Sequence, residues 1–316
     1  MTSINTNSSA MAALANLQAT NSMMETTQNR ISTGLRITTA SDNAAYWAIS
    51  ATMKSDNSAL STVKDALGLG AATVDVAYTA MEASTALVTE IKNKLVAARE
   101  PGVDRSKIQD EIGQLQDQLK SVVASASFSG ENWLSVKSDD TGYQAKEEIV
   151  SSYTRGADGK VTIGKIEVDK EEIKLIDGTA TAADKGLLDK TAGTALSATE
   201  SGKSVLTIDV EAVAFSATGG TVNSQIDVMI NEVAAVETAM IDATASLGSA
   251  KNRINLQNDF VGNLMDAIDR GVGQLVDADM TEESSRLKSL QVQQQLGIQS
   301  LSIANANAQN ILSLFR

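Results

Sequence analysis

The chain has 316 residues and a formal charge of −13 at pH 7, and it contains neither histidine nor cysteine. The acidic balance argues against a nucleic-acid partner, because no basic patch is available to neutralise phosphates. The missing residue types exclude disulfides, cysteine nucleophiles, histidine bases and the commonest transition-metal ligands. No catalytic constellation is visible, so we expect neither enzymatic activity nor a cofactor. No apolar run is long enough to cross a bilayer, so no membrane partner is expected.

The first predicted element is a helix in a stretch without charge, since no charged residue precedes Glu25. Apolar and amide side chains recur there at alternating spacings of three and four, which is typical of helices packed at coiled-coil angles. The predicted inner positions are Leu14, Leu17, Asn21, Met24, Gln28, Ile31 and Leu35.

A second, longer helix is predicted over residues 42–99. It would form a rod of roughly 85 Å at ~1.5 Å per residue, and compact domains seldom hold such helices. Pro101 and Gly102 end it. Ser106 lies three residues before Gln109, a capping-box spacing that predicts the start of a third, antiparallel helix. The inner face of the long helix is predicted to contain Leu60, Val63, Leu67, Gly70, Val74, Ala77, Met81, Ser84, Val88, Ile91, Leu95 and Ala98, and that of the third helix Ile108, Ile112, Leu115, Leu119 and Val122.

The middle of the chain, residues 136–221, lacks this helical spacing and is richer in threonine, glycine, lysine and aspartate. Two stretches alternate in twos, which predicts strands. Their predicted inner faces are Val161 with Ile163, and Leu206 with Ile208 and Val210. We therefore predict a small, β-rich segment inserted between two helical halves. Its acidic runs, Glu147–Glu148 and Glu171–Glu172, are expected to form a solvated face.

The helical spacing returns after the middle segment and continues almost to the end. Asp279 and Glu282 have the spacing of a capping box at the start of the last helix. No charged residue lies between Ser289 and Phe315, although glutamine, asparagine and serine are frequent. Such a stretch can pack against identical neighbours without burying an unpaired charge. The two predicted registers are Ile226, Met229, Val233, Val236, Met240, Ala243, Leu247, Ala250, Ile254, Gln257, Val261, Leu264 and Ile268, then Leu287, Leu290, Gln294, Gly297, Leu301, Ala304, Ala308, Ile311 and Phe315.

Both ends of the chain resemble bacterial flagellins. The N-terminal half carries "RISTGLRI" followed by "ASDNAA", and the C-terminal half carries "SLGSAKNRI" and "LQVQQQLGIQSLSIANANAQNILSLFR". The resemblance covers roughly residues 1–135 and 225–316. The tripeptide Ala45–Trp47 is similar to the α-proteobacterial and rhizobial branch of the family.

The resemblance implies a structural subunit that polymerises through its terminal helices into a helical tubular filament for motility. The expected fold is mainly α, with long antiparallel helices in a coiled-coil-like bundle and a small β-rich outer segment. Residues 1–40 and 278–316 would form an inner layer, residues 41–135 and 222–277 a helical rod, and residues 136–221 the variable outer segment. The chain ends are expected to be loose in the free subunit and ordered on assembly. The predicted assembly interface consists of Leu14, Leu17, Met24, Ile31, Leu35, Leu287, Leu290, Leu301, Ile311 and Phe315.

The resemblance also implies location and partners. We expect a secreted, extracellular filament protein, exported through the flagellar type III apparatus with an export chaperone. Its expected partners are further copies of itself, co-expressed flagellin isoforms, and the hook-associated junction and cap proteins.

A degenerate innate-receptor site is predicted on the first rod helix. Many flagellins carry there an Arg-x-x-Arg-Glu-Leu-like stretch that a Toll-like receptor binds. This chain has an acid where the key arginine is expected, so a charge-assisted contact would become a repulsion. We predict weak or absent receptor activation. The site consists of Glu90, Ile91, Lys92, Asn93 and Lys94.

Three alternative functions can be weighed against a filament subunit. A hook–filament junction protein shares the helical ends, but the full C-terminal signature favours flagellin. An enzymatic domain in the middle would need a metal-binding motif such as His-Glu-x-x-His, and the chain has no histidine. A coiled-coil adaptor or chemoreceptor fragment would not need uncharged ends.

Overall fold

The computed structural model describes residues 7–178, 185–190, 204–211 and 222–313. It is mainly helical, with long helices at both ends and a small strand-containing segment between them, so the predicted fold class is confirmed. The described residues fall into two compact units. We call them the terminal unit, within Met1–Ser58 and Leu264–Arg316, and the central unit, within Ala59–Asn263.

Two antiparallel helices, α1 (Ser8–Thr33) and α6 (Met280–Ser313), form most of the terminal unit. Helix α1 begins where the Asn7 side chain accepts a hydrogen bond of 3.0 Å from the backbone N–H of Ala10. It ends at Gly34, whose positive φ of 71° lets its N–H donate to the Arg30 carbonyl. Helix α6 begins after Asp279, whose carboxylate accepts from the N–H groups of Thr281 and Glu282. The predicted start of the last helix is therefore confirmed.

Two helices of 55 residues, α2 (Ala44–Ala98) and α5 (Val222–Val276), run through both units. Within the central unit they are antiparallel, because Arg99 pairs with Asp227 at 2.7 Å and Lys251 with Asp75 at 2.6 Å. Every predicted inner position of α2 from Leu60 to Ala98 is buried. The predicted long rod helix and its inner face are thus confirmed.

Helix α3 (Arg105–Ser125) differs from its prediction in two details. Its N-cap is Asp104, whose carboxylate accepts from the Ser106 N–H, so the predicted cap at Ser106 is wrong. Its buried positions include Gln116 and Val123 in place of the predicted Leu115 and Val122, which are only half-buried. Gln116 faces inward because its amide donates to two backbone carbonyls, those of Val205 at 3.0 Å and Ile208 at 3.1 Å.

The strand segment follows α3, and its described residues form three two-stranded pairs. Strands β1 (Ser127–Phe128) and β2 (Glu131–Asn132) are antiparallel, and β3 (Ser135–Val136) pairs in parallel with β6 (Ile176–Asp177). The longest pair is the antiparallel hairpin of β4 (Lys146–Arg155) and β5 (Val161–Asp169), with an irregularity between Val150 and Ser152. A short helix, α4 (Lys170–Ile173), leads from β5 towards β6.

The predicted inner face of β5 is wrong. Val161 and Ile163 are exposed, whereas Ile166 and Val168 are buried. The apolar residues of this strand change parity at Gly164, and Ile166 lies opposite the buried Ile149 of β4. The face that carries Ile166 and Val168 therefore packs inward, and the other face points to solvent.

The second predicted strand is also wrong over its described part, because Val205–Thr207 form a 3₁₀ turn. Ile208 and Val210 are buried as predicted, but Leu206 is only half-buried and Val205 is buried in its place. The carbonyls of Val205 and Ile208 accept hydrogen bonds from a helix side chain, Gln116, and not from a neighbouring strand.

A buried ion cluster stabilises the strand segment. The side chains of Lys174 and Asp177 are 3% and 0% exposed, and they pair at 3.1 Å. Lys174 also pairs with Glu171 at 2.7 Å, and the Tyr143 hydroxyl donates to Glu171. Burial alone would lower the pKa of Lys174, but its hydrogen bonds to Glu171 and Asp177 outweigh burial and raise that pKa. The lysine is therefore held charged inside the protein.

The acidic runs lie partly or fully exposed, as predicted, and they also pair with lysines. Glu147 accepts from Lys170 at 3.0 Å, and Glu148 pairs with Lys165. The Glu148–Lys165 pair is a cross-strand contact of the β4–β5 hairpin, whereas the Glu147–Lys170 pair joins β4 to α4.

Candidate assembly surfaces

A narrow antiparallel seam joins α1 and α6 within one chain. From one end to the other, Arg30 pairs with Glu283 at 3.0 Å, and the Gln294 amide donates to the Asn21 amide oxygen at 2.9 Å. Further along, the Asn7 amide donates to the Ala304 carbonyl at 3.0 Å. The seam thus combines apolar contacts with amide hydrogen bonds. Among the described side chains of the two helices, Leu290 is the buried large apolar one.

Gly297 allows the two helices to approach closely in this seam. A methyl group placed on its Cα would lie 3.3 Å from the Leu17 Cδ1 atom. That separation is tighter than ordinary van der Waals contact, so a larger residue at this position would require the Leu17 side chain to shift. Small residues at such positions let backbones come near one another without losing packing.

The predicted interface residues are distributed between the seam and the surface. Leu290 is 5% exposed, and five others are half-buried along the seam: Leu17, Met24, Ile31, Leu287 and Leu301. Leu14 is 45% exposed. Leu35 lies in the connection after α1, where its backbone bridges to Asp277. The side chain of Ile311 and all of Phe315 lie outside the described residues. Most of these positions therefore contact the other terminal helix of the same chain.

A different set of apolar side chains on α6 is left uncovered. Val292, Leu296 and Ile303 are 55%, 58% and 62% exposed. Their spacing of four and seven residues places them on one face of the helix. We call these three residues the outer stripe. On α1, Met11, Leu14 and Met23 are exposed to a similar degree.

The predicted register of α6 does not include the outer stripe, because that register contains only the positions that face α1. A signal was nevertheless present: apolar residues occur off that register in the part of α6 that contains no charged residue. A solvated helix would normally carry charged residues there.

The central unit has an exposed apolar pair of its own on α5. Leu256 is 70% exposed and Phe260 is 57% exposed, and their spacing of four puts them on one face. Exposed apolar residues occur singly on most proteins, but adjacent large ones mark surfaces that bind partners.

The predicted receptor site is only partly accessible. Glu90 and Asn93 are exposed on α2, whereas Ile91 is completely buried in the helical core. Lys92 pairs with Glu237 of α5. Lys94 pairs with Glu111 of α3 at 2.6 Å, and this hydrogen bond raises the pKa of Lys94. Both lysines are thus held by carboxylates of neighbouring helices.

Within the part of the chain that the structure describes, no cluster of acidic side chains is arranged to hold a metal ion. No helix in that part is sufficiently long and apolar to span a bilayer.

Comparisons with known proteins agree with this architecture. The family profile "Bacterial flagellin N-terminal helical region" matches residues 4–139, and "Bacterial flagellin C-terminal helical region" matches residues 226–315. Flagellin C of Rhizobium meliloti strain 1021 is 52% identical over 324 residues, with all of both chains covered. Flagellin A of the same strain is 44% identical, and a flagellin of Brucella melitensis biotype 1 is 43% identical, again with full coverage of each chain.

Flagellins are structural proteins that polymerise into the extracellular flagellar filament, and they are not enzymes. The two matched regions cover the long helices at both ends, and the relatives align along the whole chain. The chain therefore belongs to the flagellin family and is a structural subunit of the bacterial flagellar filament.

Proposed function

We propose that the paired helices α1 and α6 make the contact between copies in the filament and that the outer stripe is its apolar centre. The observation that carries this proposal is the exposure of Val292, Leu296 and Ile303, each more than half, in the part of α6 that contains no charged residue. Burying each of these side chains would stabilise a contact by up to ~1.5–3 kcal/mol. A repeated contact between different faces of identical subunits does not close, and it propagates as a helix.

The absence of charge supports the same role. Copies of a chain with a net charge of −13 repel one another, so contacts are least costly where neither surface carries charge. The ends of the chain meet this condition, since no charged residue precedes Glu25 and none lies between Ser289 and Phe315. The seam residues Leu17, Leu290 and Leu301 would then hold the helix pair together and present the outer stripe.

We also propose the three-layer arrangement predicted above for the assembled subunit. Residues 1–40 and 278–316 would form the inner layer, residues 41–135 and 222–277 the rod, and residues 136–221 the outer segment. The uncharged ends and the strand-containing middle support this assignment.

Further partners are proposed from the family. They are co-expressed flagellins, the hook-associated junction and cap proteins, the export chaperone and the type III export apparatus. Four different flagellins of Rhizobium meliloti strain 1021, named A to D, are 41–52% identical to this chain along its length. Such similarity supports the proposal that related subunits share a filament.

A triple substitution tests the outer stripe. We expect Val292→Ser with Leu296→Ser and Ile303→Ser to abolish seeded polymerisation and leave the melting temperature of the monomer within a few degrees of the parent. The matched control is Gln291→Ser with Gln295→Ser, two exposed residues on the adjacent face of the same helix. The control should polymerise like the parent. Normal polymerisation of the triple variant would show that the outer stripe points to solvent in the filament.

A further inference from the structure

We propose that Met11 and Met23 of α1 are modification sites, at which hydroperoxides convert the thioether to a sulfoxide and thereby prevent the free subunit from assembling. The modification itself is argued from exposure and chemistry. Its effect on assembly rests on the proposed function of α1 and α6 as the contact between copies. The two parts are measured separately, so they can fail separately.

Methionines are distributed unequally between the two units. On α1, Met11 and Met23 are 64% and 50% exposed, and Met280 at the start of α6 is 44% exposed. The chain contains no cysteine, so no thiol competes with these thioethers for an oxidant. The three methionines of the central unit are all buried: Met81, Met229 and Met240 are 0%, 4% and 0% exposed. The described methionines that are half-buried also belong to the terminal unit: Met24, Met53 and Met265.

A groove between α1 and α6 gives small solutes access to Met23. The groove has a volume of about 890 Å³, and Met23 lies along it. Its other lining side chains are mostly polar, among them Thr26, Arg286 and Gln293. Hydrogen peroxide is small, uncharged and fully soluble in water, so a polar groove admits it. Neither the net charge of the chain nor the packing of the helix pair shields this sulphur.

The reaction is a transfer of one oxygen atom. The thioether sulphur attacks one peroxide oxygen, the O–O bond breaks and a sulphur–oxygen bond forms. Sulphur loses two electrons, and the other peroxide oxygen gains them. The proton of the transferred oxygen moves to the leaving oxygen, which departs as water or as an alcohol. The product is methionine sulfoxide, a polar side chain in place of an apolar one.

The sulfoxide is tolerated in the free subunit but not in a contact between copies. In the free subunit the new oxygen stays in water, because Met11 and Met23 are each at least half exposed. The helix pair is held by other contacts, such as the Arg30–Glu283 ion pair. In a contact between copies the oxygen would lose its water, and burying a polar group without a hydrogen bond is costly.

Graded oxidation locates the sites. Free subunits of the full chain are treated with increasing hydrogen peroxide and digested, and fragment mass spectra assign each added oxygen to one methionine. We expect sulfoxide at Met11 and Met23 long before it appears at Met81, Met229 or Met240. The melting temperature of the oxidised monomer should stay within a few degrees of the untreated one, because the buried methionines are still intact.

Seeded polymerisation measures the effect on assembly. Oxidised parent subunits should show a critical concentration at least about tenfold higher than untreated ones. Met11→Leu with Met23→Leu keeps a similar side-chain volume and removes both sites, so this variant should polymerise equally well before and after peroxide. Met280→Leu is the matched control, since it removes the third exposed methionine and should leave the sensitivity of the parent unchanged.

Enzymatic reduction provides a measurement that needs no variant of α1. Methionine sulfoxide reductases for both epimers return the side chain to the thioether. We expect them to restore polymerisation of oxidised Met280→Leu subunits as sulfoxide disappears from Met11 and Met23. This arm decides the matter if the double variant fails to polymerise even before oxidation.

The remaining outcomes count against the proposal or against the function. Sulfoxide at Met81 or Met240 as early as at Met23 would overturn the assignment of the sites. Equal polymerisation of oxidised and untreated parent would overturn the effect on assembly and leave filament formation intact, and so would a loss that persists in the double variant. An untreated parent that forms no polymer would instead contradict the proposed function.

Discussion

Gly70 in helix α2 provides a sharp test of how the strand segment packs against the helices of the central unit. A methyl group on its Cα would lie 2.6 Å from the Cγ2 atom of Ile149 and 3.0 Å from its Cδ1 atom. Ile149 belongs to strand β4 and is 7% exposed, so it has little room to move. Gly68 lies two residues earlier in the same helix, and a methyl group there would meet nothing within 4 Å.

The expected free energies follow from two opposing effects. Replacing glycine by alanine in a helix interior stabilises by about 1 kcal/mol. Overpacking a core by a methyl group costs about 1–3 kcal/mol. Gly68→Ala should therefore stabilise the protein by about 1 kcal/mol, because it lacks the clash. Gly70→Ala should range from neutral to about 2 kcal/mol destabilising.

Urea unfolding of the monomer, followed by circular dichroism, measures both substitutions. Ile149→Ala removes all three atoms that the methyl group would meet. In that background Gly70→Ala should become stabilising, like Gly68→Ala, with a coupling energy of about 1–3 kcal/mol between the two sites. If Gly70→Ala stabilised the parent as much as Gly68→Ala does, β4 would not lie against α2 as described.

Three further predictions concern charged groups. Hydrogen bonds, first from the backbone of Thr39, hold the pKa of Asp42 below its ordinary value of 3.8. The stability that Asp42 contributes is therefore present above that pH and lost below it. In unfolding measured against pH, acid should destabilise the parent more steeply than the Asp42→Asn variant. Lys174→Met would leave the buried Asp177 carboxylate without its lysine and should cost about 3–5 kcal/mol in unfolding followed by Trp133 fluorescence. The exposed control Lys165→Met should cost less than about 1 kcal/mol, and equal costs for the two would contradict the buried cluster. In a reporter-cell assay the parent should activate the Toll-like receptor weakly and Glu90→Arg more strongly, whereas full activation by the parent would refute the degenerate site.

The helices could be predicted from sequence because their spacing directly reflects burial. On α2, the inner positions from Leu60 to Ala98 lie on one continuous helix that packs on one side, so their spacing of three and four identifies them. The first residue of α3 is harder to predict from sequence, because Asp104 and Ser106 are both good N-cap residues. The conformation of the turn after Pro101 determines which of them caps the helix.

The inward faces of the strands and the surfaces that contact other copies cannot be predicted from one segment of the sequence alone, because they depend on neighbouring segments. Which face of β5 is inward depends on Ile149 of the neighbouring strand, and Val161 and Ile163 alone cannot reveal it. The register of α6 correctly identified Leu290 and Gly297 as contact positions, but a register does not say which helix fills the contact. Because α1 of the same chain makes this contact, the candidate surface for other copies consists of α6 side chains outside the register, the outer stripe.

The pairing of α1 with α6 also determines when the protein can fold. Asn7 and Ala304, joined by a hydrogen bond, are separated by 297 positions in the chain. During synthesis, which proceeds from the N-terminus, α1 has no partner until α6 has been added. Contacts of such long range form slowly, and a helix without its partner is only marginally stable in water. The unfinished chain thus cannot complete its terminal unit, and the time at which this unit closes is set by the arrival of the C-terminal helix.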